Sequence, residues 1–241
     1  MNIFMPYGPG VSGLISTIGC DKIKSKLRQK RGSSMGKLFD PDSPAMRGIS
    51  MFGTLVELNI LWLLCCLPIV TIGASTTALY RMMFRLRADQ SCGVRDFIKA
   101  FLADFWKSTG IFLILVVFGV GTWLYLQIAN QSVGMMQAGM TVLCFLLFLL
   151  LSFLASYAFP LTAFFENSVF GTLKNALAIS LRHLPSSLLV LVINLFPAAV
   201  LYFSVEIFVQ MLIAFLFILP GIQSFWVTGI LRRVFANYVS E

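Results

Sequence analysis

The sequence predicts an all-α protein of the polytopic membrane class: about five to six transmembrane helices, arranged as helical hairpins with amphipathic helices at the interface. The first observation is composition, because 58% of the 241 residues are hydrophobic and only 12% are charged. Soluble domains carry roughly 25% charged residues. The second is the presence of several apolar runs long enough to cross a bilayer. The third is the clustering of Lys and Arg between alternate runs.

Residues 1–34 form a basic N-terminal extension, in which most of the charge lies between Lys22 and Arg31. Three interpretations stay open: a tail attracted to anionic lipid, a disordered segment without a role, and a translation start set too early, with Met35 as the true start. The segment does not have the pattern of a secretory signal. Residues 35–241 are expected to form a single transmembrane domain.

The stretch 54–87 organises the chain, because an apolar run is followed by small hydroxyl residues and then by arginines. A helix is predicted over residues 45–67 and another over about 75–88. Pro68 lacks an N–H donor and Gly73 favours irregular backbone, so both are expected to interrupt the helix between these two segments.

A polar cluster in this stretch is the candidate functional or structural site. Its small hydroxyl residues have two interpretations, which stay open. They line a polar path or bind a small solute, or they satisfy backbone groups freed where the helix breaks. The cluster comprises Glu57, Asn59, Pro68, Thr71, Gly73, Ser75, Thr76, Arg81 and Arg85.

Glu57 is the one acidic residue inside this apolar stretch. An ionisable group within a membrane is a functional candidate by default. The alternative is a position near the cytoplasmic surface, where Glu57 is simply solvated or paired. Pairing with Arg85 is favoured, because the two residues lie equally far from Thr71 and a hairpin centred there would bring them to the same depth.

Two later segments, residues 94–107 and 170–183, predict amphipathic helices at the membrane interface, since apolar residues recur at helical spacing opposite basic ones. The two segments align with each other when Lys99 is matched with Lys174, and an apolar span follows each segment. This indicates a weak internal repeat, although two unrelated basic amphipathic helices would look similar.

Further spans are predicted at residues 110–129, 138–165, 185–205 and 207–227. Placing the basic segments inside makes both termini cytoplasmic. Residues 51–87 must then cross twice or re-enter, and their short, polar second limb is expected to be shielded by other helices. Six helices in three hairpins is the preferred topology, and five spans with a broken first helix is the alternative.

The sequence predicts no catalytic residue, no metal site and no cofactor. The five cysteines are odd in number and show no C-x-x-C pattern, and His183 is the sole histidine. No phosphate-cradling or dinucleotide motif is present. The net charge of +8 is interpreted as membrane topology and not as a nucleic-acid surface.

The motif LPIVTIGAST at residues 67–76, with Asn59 before it and Ala78-Leu79-Tyr80 after it, resembles the signature of the YesL family, domain of unknown function 624. The resemblance extends over residues 35–241 and includes Phe97, Lys99, Phe101, Asn175 and Ala176. These are bacterial integral membrane proteins without an established activity, whose genes often lie beside sugar ABC-transporter genes.

The resemblance implies a non-enzymatic protein of the bacterial plasma membrane, accessory to or regulating a carbohydrate ABC-type uptake system. Its expected partners are the lipid bilayer and sugar permease subunits. A different class of function, a small-solute transporter or channel in its own right, is the alternative, because a broken helix beside polar residues is typical of transport proteins.

Overall fold

The computed structural model describes residues 44–203 and 205–239, and this part of the chain is almost entirely helical. The all-α prediction is therefore confirmed. The expectations for residues 1–34 lie outside the described residues. One turn of 3-10 helix, Ile69–Thr71, follows the first helix, and the helices are α1 (Pro44–Cys66), α2 (Ile72–Leu86), α3 (Val94–Ala103), α4 (Phe105–Gln131), α5 (Met135–Phe164), α6 (Val169–Arg182), α7 (Leu184–Phe203) and α8 (Val205–Val239).

Among the described residues, α4 and α5 are long and apolar enough to cross a membrane. A third span results if α6 and the first part of α7 count as one bent unit, with an angle of 109° between them. The apolar part of α1, Ser50–Cys66, is shorter. The chain is thus compatible with a membrane protein, and the number of five to six spans stays a prediction.

The break between α1 and α2 lies earlier than the sequence indicated. Pro68 belongs to the irregular link, but α2 begins at Ile72, so Gly73 is inside a helix. A Cβ atom on Gly73 would lie 2.5 Å from the Ser108 carbonyl oxygen and 2.7 Å from Phe112 Cβ. Glycine is therefore required here because α2 and α4 approach closely, and not because the helix stops.

The first amphipathic helix is also shorter than expected. α3 ends at Ala103, and Asp104 separates it from the long helix α4. The second one, α6, is capped by Ser168, whose Oγ accepts a hydrogen bond from the Gly171 N–H at 3.2 Å. α3 and α6 begin at Val94 and Val169, positions that the proposed repeat superposes.

Helix α2 lies at the centre of the bundle and packs against α1, α3, α4, α5 and α8. Its residues Ala74, Ala78, Met82 and Met83 have no exposed surface. The structure confirms that this short, polar helix is shielded by other helices, as polar groups within a membrane protein are expected to be.

The α1–α2 hairpin reaches only part of the way along α4. Gly73 contacts α4 near Ser108 and Phe112, in the first third of that helix. α2 has 15 residues, which makes it ~22 Å long, shorter than the ~30 Å hydrocarbon core of a bilayer. The tip is apolar, since Leu67 and Ile69 are 75% and 73% exposed.

Charged side chains gather at one end of the bundle. Arg81 of α2 pairs there with Asp104, at the start of α4, and its Nε donates to the Ala163 carbonyl near the end of α5. The α4–α5 turn at the opposite end, residues 132–134, carries no charge. Gly134 has a φ of +70° in that turn, a conformation that glycine adopts without strain.

Candidate functional site

The hydroxyl groups at the α1–α2 link satisfy backbone carbonyls. Thr71 Oγ1 donates to the carbonyl oxygens of Cys65 and Pro68, both at 2.6 Å. Ser75 Oγ donates to the Trp62 carbonyl at 2.9 Å. The Cys65 carbonyl lacks its helical partner because the helix ends before Pro68. For Thr71 and Ser75 the geometry therefore favours the backbone-satisfaction interpretation.

Thr76 is the predicted hydroxyl residue that lines a cavity. Its Oγ1 donates to the Ile72 carbonyl at 2.7 Å and accepts from Trp62 Nε1 at 3.4 Å. The neighbouring Thr77 is buried and its Oγ1 donates to the Gly73 carbonyl at 3.0 Å, the usual back-bonding of a threonine within a helix.

The cavity beside Thr76 has a volume of about 340 Å³ and lies between α1, α2, α5, α7 and α8. Among its described lining residues none is charged. The lining combines aromatic rings with hydroxyl and carboxamide groups, a composition that matches small-molecule sites in proteins. The residues that matter for recognition are Trp62, Tyr80, Ser156, Asn194, Gln223 and Ser224.

The polar lining residues form a connected network across three helices. Gln223 Nε2 of α8 donates to Asn194 Oδ1 of α7 at 2.9 Å and to the Ile193 carbonyl at 3.1 Å. Asn194 Nδ2 donates to Ser156 Oγ of α5 at 2.9 Å. Each carboxamide is held in one orientation by these bonds, so the cavity wall is ordered before any ligand arrives.

This network leaves both donors and acceptors for a bound molecule. A carboxamide has two N–H groups and an oxygen with two lone pairs, and the internal bonds of Asn194 and Gln223 use only part of that capacity. The Tyr80 hydroxyl adds another polar group on the α2 side, and Ser224 adds one on the α8 side. The site fits an uncharged molecule with several hydroxyl or amide groups.

Arg81 has a structural partner that the sequence analysis did not identify. Its guanidinium forms an ion pair with Asp104, and the two side chains are 12% and 2% exposed. Burial raises the pKa of the Asp104 carboxyl, and the nearby cations Arg81 and Lys107 partly offset that rise. The pair joins α2 to the α3–α4 junction, away from the cavity.

The predicted Glu57–Arg85 ion pair does not form in the structure. Arg85 Nη1 lies 3.5 Å from Asp96 Oδ1 of α3. Glu57 is exposed, and within the described residues it forms no ion pair.

The register of the α1–α2 hairpin explains why the predicted Glu57–Arg85 ion pair does not form. Trp62 contacts both Ser75 and Thr76, which places the midpoint of the hairpin at Pro68 and Ile69 and not at Thr71. Glu57 is therefore level with Arg81, and its side chain is on the exposed face of α1, with Ile60 and Leu64.

Asn59 points in the other direction. It is fully buried and faces α8, where a Cβ added to Gly221 would lie 3.6 Å from Asn59 Cβ, in ordinary van der Waals contact. The predicted cluster is thus divided. Thr71 and Ser75 stabilise the link, Asn59 packs against α8, Arg81 and Arg85 form separate ion pairs, and Thr76 reaches the cavity.

Sequence reasoning missed the residues that carry most of the cavity's polarity. Asn194 and Gln223 are carboxamides within largely apolar stretches of α7 and α8, and polar residues in such positions commonly contact other helices or a ligand. That signal was available in the sequence. Their convergence with Ser156 was not, because periodicity does not say which helices become neighbours.

Comparison with known families supports part of the sequence resemblance. A family model described as "Protein of unknown function, DUF624" matches residues 55–126. That segment begins within α1 and ends within α4, so it includes the second half of α1, the hairpin turn and the whole of α2 and α3. No curated protein and no solved structure matches the chain.

Proposed function

We propose that this protein is an integral membrane protein that binds a small uncharged polar solute within its helical bundle and passes it across the membrane. The observation that carries this proposal is the partly open cavity of about 340 Å³, lined by Asn194, Gln223 and Ser156 and by no charged residue among those described. Hydrogen-bonding groups inside an apolar bundle are costly, and a solute gives them partners.

The architecture that fits this role is a re-entrant hairpin beside full-length spans. α2 is too short to cross the hydrocarbon core, and Gly73 meets α4 only near Ser108. Thr76 and Trp62, close to the hairpin tip, both line the cavity. We propose that α1 and α2 enter from the charged side and turn back within the membrane, so that the tip borders the solute path.

The proposed role involves no chemical step. The lining groups are carboxamides, hydroxyls and aromatic rings, which recognise a solute by hydrogen bonding and stacking. Positively charged flanks favour the cytoplasmic side of a membrane. We therefore place the charged end, with the C-terminus, in the cytoplasm and the protein in a bacterial plasma membrane, in keeping with the YesL resemblance.

Reconstitution into liposomes tests the proposal. Uptake of a panel of neutral polyols and sugars, followed by light scattering, should exceed that of protein-free liposomes for at least one member. Gln223→Leu removes the central carboxamide at similar volume. We expect it to lower the rate about threefold to tenfold, since one hydrogen bond contributes ~0.5–1.5 kcal/mol.

The matched control is Gln127→Leu, the same change at an exposed position of α4, which should leave uptake unchanged. Equal losses in both variants, or the absence of uptake of every solute in the panel, would contradict the proposal. Thermal unfolding of each variant in detergent shows whether the change acts on the fold instead.

A second candidate is an accessory or regulatory role beside a carbohydrate ABC-type permease. The observation that favours it is the exposed apolar surface on the two amphipathic helices: Leu102 of α3 and Phe170 of α6 are 65% and 79% exposed, and Lys99 and Lys174 are exposed beside them. Crosslinking in the native membrane separates the candidates, since capture of sugar permease subunits favours the accessory role.

A further inference from the structure

Two arginines, Arg87 and Arg232, meet at the charged end of the bundle through a contact between the side chain of one and the backbone of the other. Arg87 follows α2 and Arg232 is in the last part of α8, where Arg232 Nη1 donates to the Arg87 carbonyl oxygen at 3.1 Å. Arg81 and Arg85, by contrast, have Asp104 and Asp96. In the part of the chain that the structure describes, neither Arg87 nor Arg232 has an acidic partner.

The Arg87 side chain is fixed in a notch of α8. Its Nε donates to the Phe225 carbonyl at 3.0 Å and to Thr228 Oγ1 at 3.2 Å. Its Cζ lies 3.8 Å from the centroid of the Phe225 ring, a cation–π geometry. A Cβ on Gly229 would come within 2.6 Å of Arg87 Nη2, so the notch exists because α8 has glycine there.

The arrangement leaves the positive charge without an acidic partner among the described residues, and some N–H donors stay free. A guanidinium carries five N–H groups in a planar fork. Arg87 uses Nε and Nη2, and Arg232 uses Nη1 alone. Burial, and then the charge of Arg232, lowers the pKa of the Arg87 guanidinium, which means that its charged form is disfavoured where it lies. An anion bound between the two side chains would offset this cost.

The surroundings indicate where such an anion comes from. Trp226 is a neighbour of Gly229 on the surface of α8, since the two are three residues apart in the helix, and together with Ile230 it lines an apolar groove between α7 and α8 with a volume of about 480 Å³. The groove extends along α8 to Leu219 and offers only apolar surface to an acyl chain. Basic positions beside apolar grooves at the inner face of a membrane are typical of sites for phospholipid headgroups.

We propose that Arg87 and Arg232 form a binding site for a phosphate oxyanion, supplied by the headgroup of an anionic phospholipid whose acyl chain occupies the α7–α8 groove. The bound phosphate would tie the end of α2 to α8, at the base of the bundle that holds the solute cavity. Neither arginine lines that cavity, and Gln223 is the described residue that borders both the cavity and the groove.

Native mass spectrometry of the full chain in mild detergent tests the proposal, with phosphatidylglycerol, phosphatidylcholine and inorganic phosphate as probes. We expect one phosphatidylglycerol to bind per chain in preference to phosphatidylcholine. Arg232→Gln should weaken that binding about tenfold or more, because hydrogen bonds to charged groups are the stronger class. Arg232→Lys, which keeps the charge, should retain most of it.

Arg95→Gln is the matched control, since Arg95 is an exposed arginine on α3, and it should bind the lipid like the unaltered protein. If inorganic phosphate binds as tightly as the lipid, and Arg232→Gln weakens the binding of both equally, the site is assigned to soluble phosphate instead. Equal binding by Arg232→Gln and the unaltered protein overturns the proposal.

Thermal unfolding of the unaltered chain provides a measurement that needs no variant. A ligand that binds only the folded state raises the unfolding temperature as its concentration increases. Phosphatidylglycerol or inorganic phosphate should therefore raise it, and phosphatidylcholine should have less effect. If neither phosphate source stabilises the protein, the site does not exist, whether or not Arg232→Gln folds.

Discussion

Asp104 lies in an environment that is unfavourable for a carboxylate. Asp104 lies between α3 and α4, and its side chain is 2% exposed. Arg81 is the cation in direct contact with it. The cost of taking two charges out of water largely cancels their attraction. The pair therefore adds little stability in itself, but the loss of one partner leaves the other buried and uncompensated.

Arg81→Gln should lower the free energy of unfolding by about 3–5 kcal/mol, the usual cost of breaking a buried ion pair. The double variant Arg81→Gln with Asp104→Asn should recover much of that loss, since no buried charge remains. Chemical unfolding in detergent measures both. Additive losses would show that the two side chains do not depend on each other.

Among the helices, the close contact between α2 and α4 depends on Gly73, because this residue has no side chain. Gly73→Ala should destabilise the protein by roughly 1–3 kcal/mol, because the added Cβ would meet the backbone of Ser108 and the two helices would have to separate. Gly121→Ala is the control: no atom lies within 4 Å of its new Cβ.

The control variant should be neutral or slightly stabilising, as alanine favours a helix by up to ~1 kcal/mol over glycine. Unfolding temperatures of the two variants give the comparison. Equal effects at Gly73 and Gly121 would show that the close approach of α2 and α4 does not limit stability.

The sequence predicted the helices well, because long apolar runs and basic amphipathic segments leave little choice. It located the hairpin turn poorly. Pro68 and Gly73 are both helix breakers by type, and only the neighbouring α4 shows that Gly73 serves a close contact. The register across the hairpin depends on contacts of Trp62 with Ser75 and Thr76, and the spacing of residues does not encode it.

The candidate site was predicted still less completely. Thr76 was named, but Asn194 and Gln223 are far away in the sequence and meet only when α7 and α8 pack together. Asp104 lies within the segment predicted as an amphipathic interfacial helix, residues 94–107, but it is the buried partner of Arg81. Tertiary neighbours decide these roles, and a single sequence contains no direct record of them.

For the whole molecule, the arrangement of charge and the depth of the hairpin lead to a topology prediction. Single cysteines in a background without the native ones should react from the cytoplasm at Ser91 and from outside at Ser132. A cysteine at Ile69, on the apolar hairpin tip, should react slowly from both sides, because a re-entrant tip lies within the hydrocarbon core.

Membrane-impermeant maleimides applied to intact cells and to inverted vesicles distinguish the outcomes. Fast reaction at Ile69 from outside would show that the hairpin crosses twice, giving the six-helix topology. Reaction at Ser91 from outside would reverse the orientation of the entire protein.

The attachment of Arg87 to Phe225 also has a consequence for how the protein is made. These residues are 138 positions apart in the chain, so α2 leaves the ribosome long before its acceptor on α8 has been synthesised. The end of the early hairpin therefore stays without this contact until the last helix has been synthesised and completes the bundle. A nascent chain interrupted before Phe225 cannot close in this way, which gives the cell a structural difference between finished and unfinished copies.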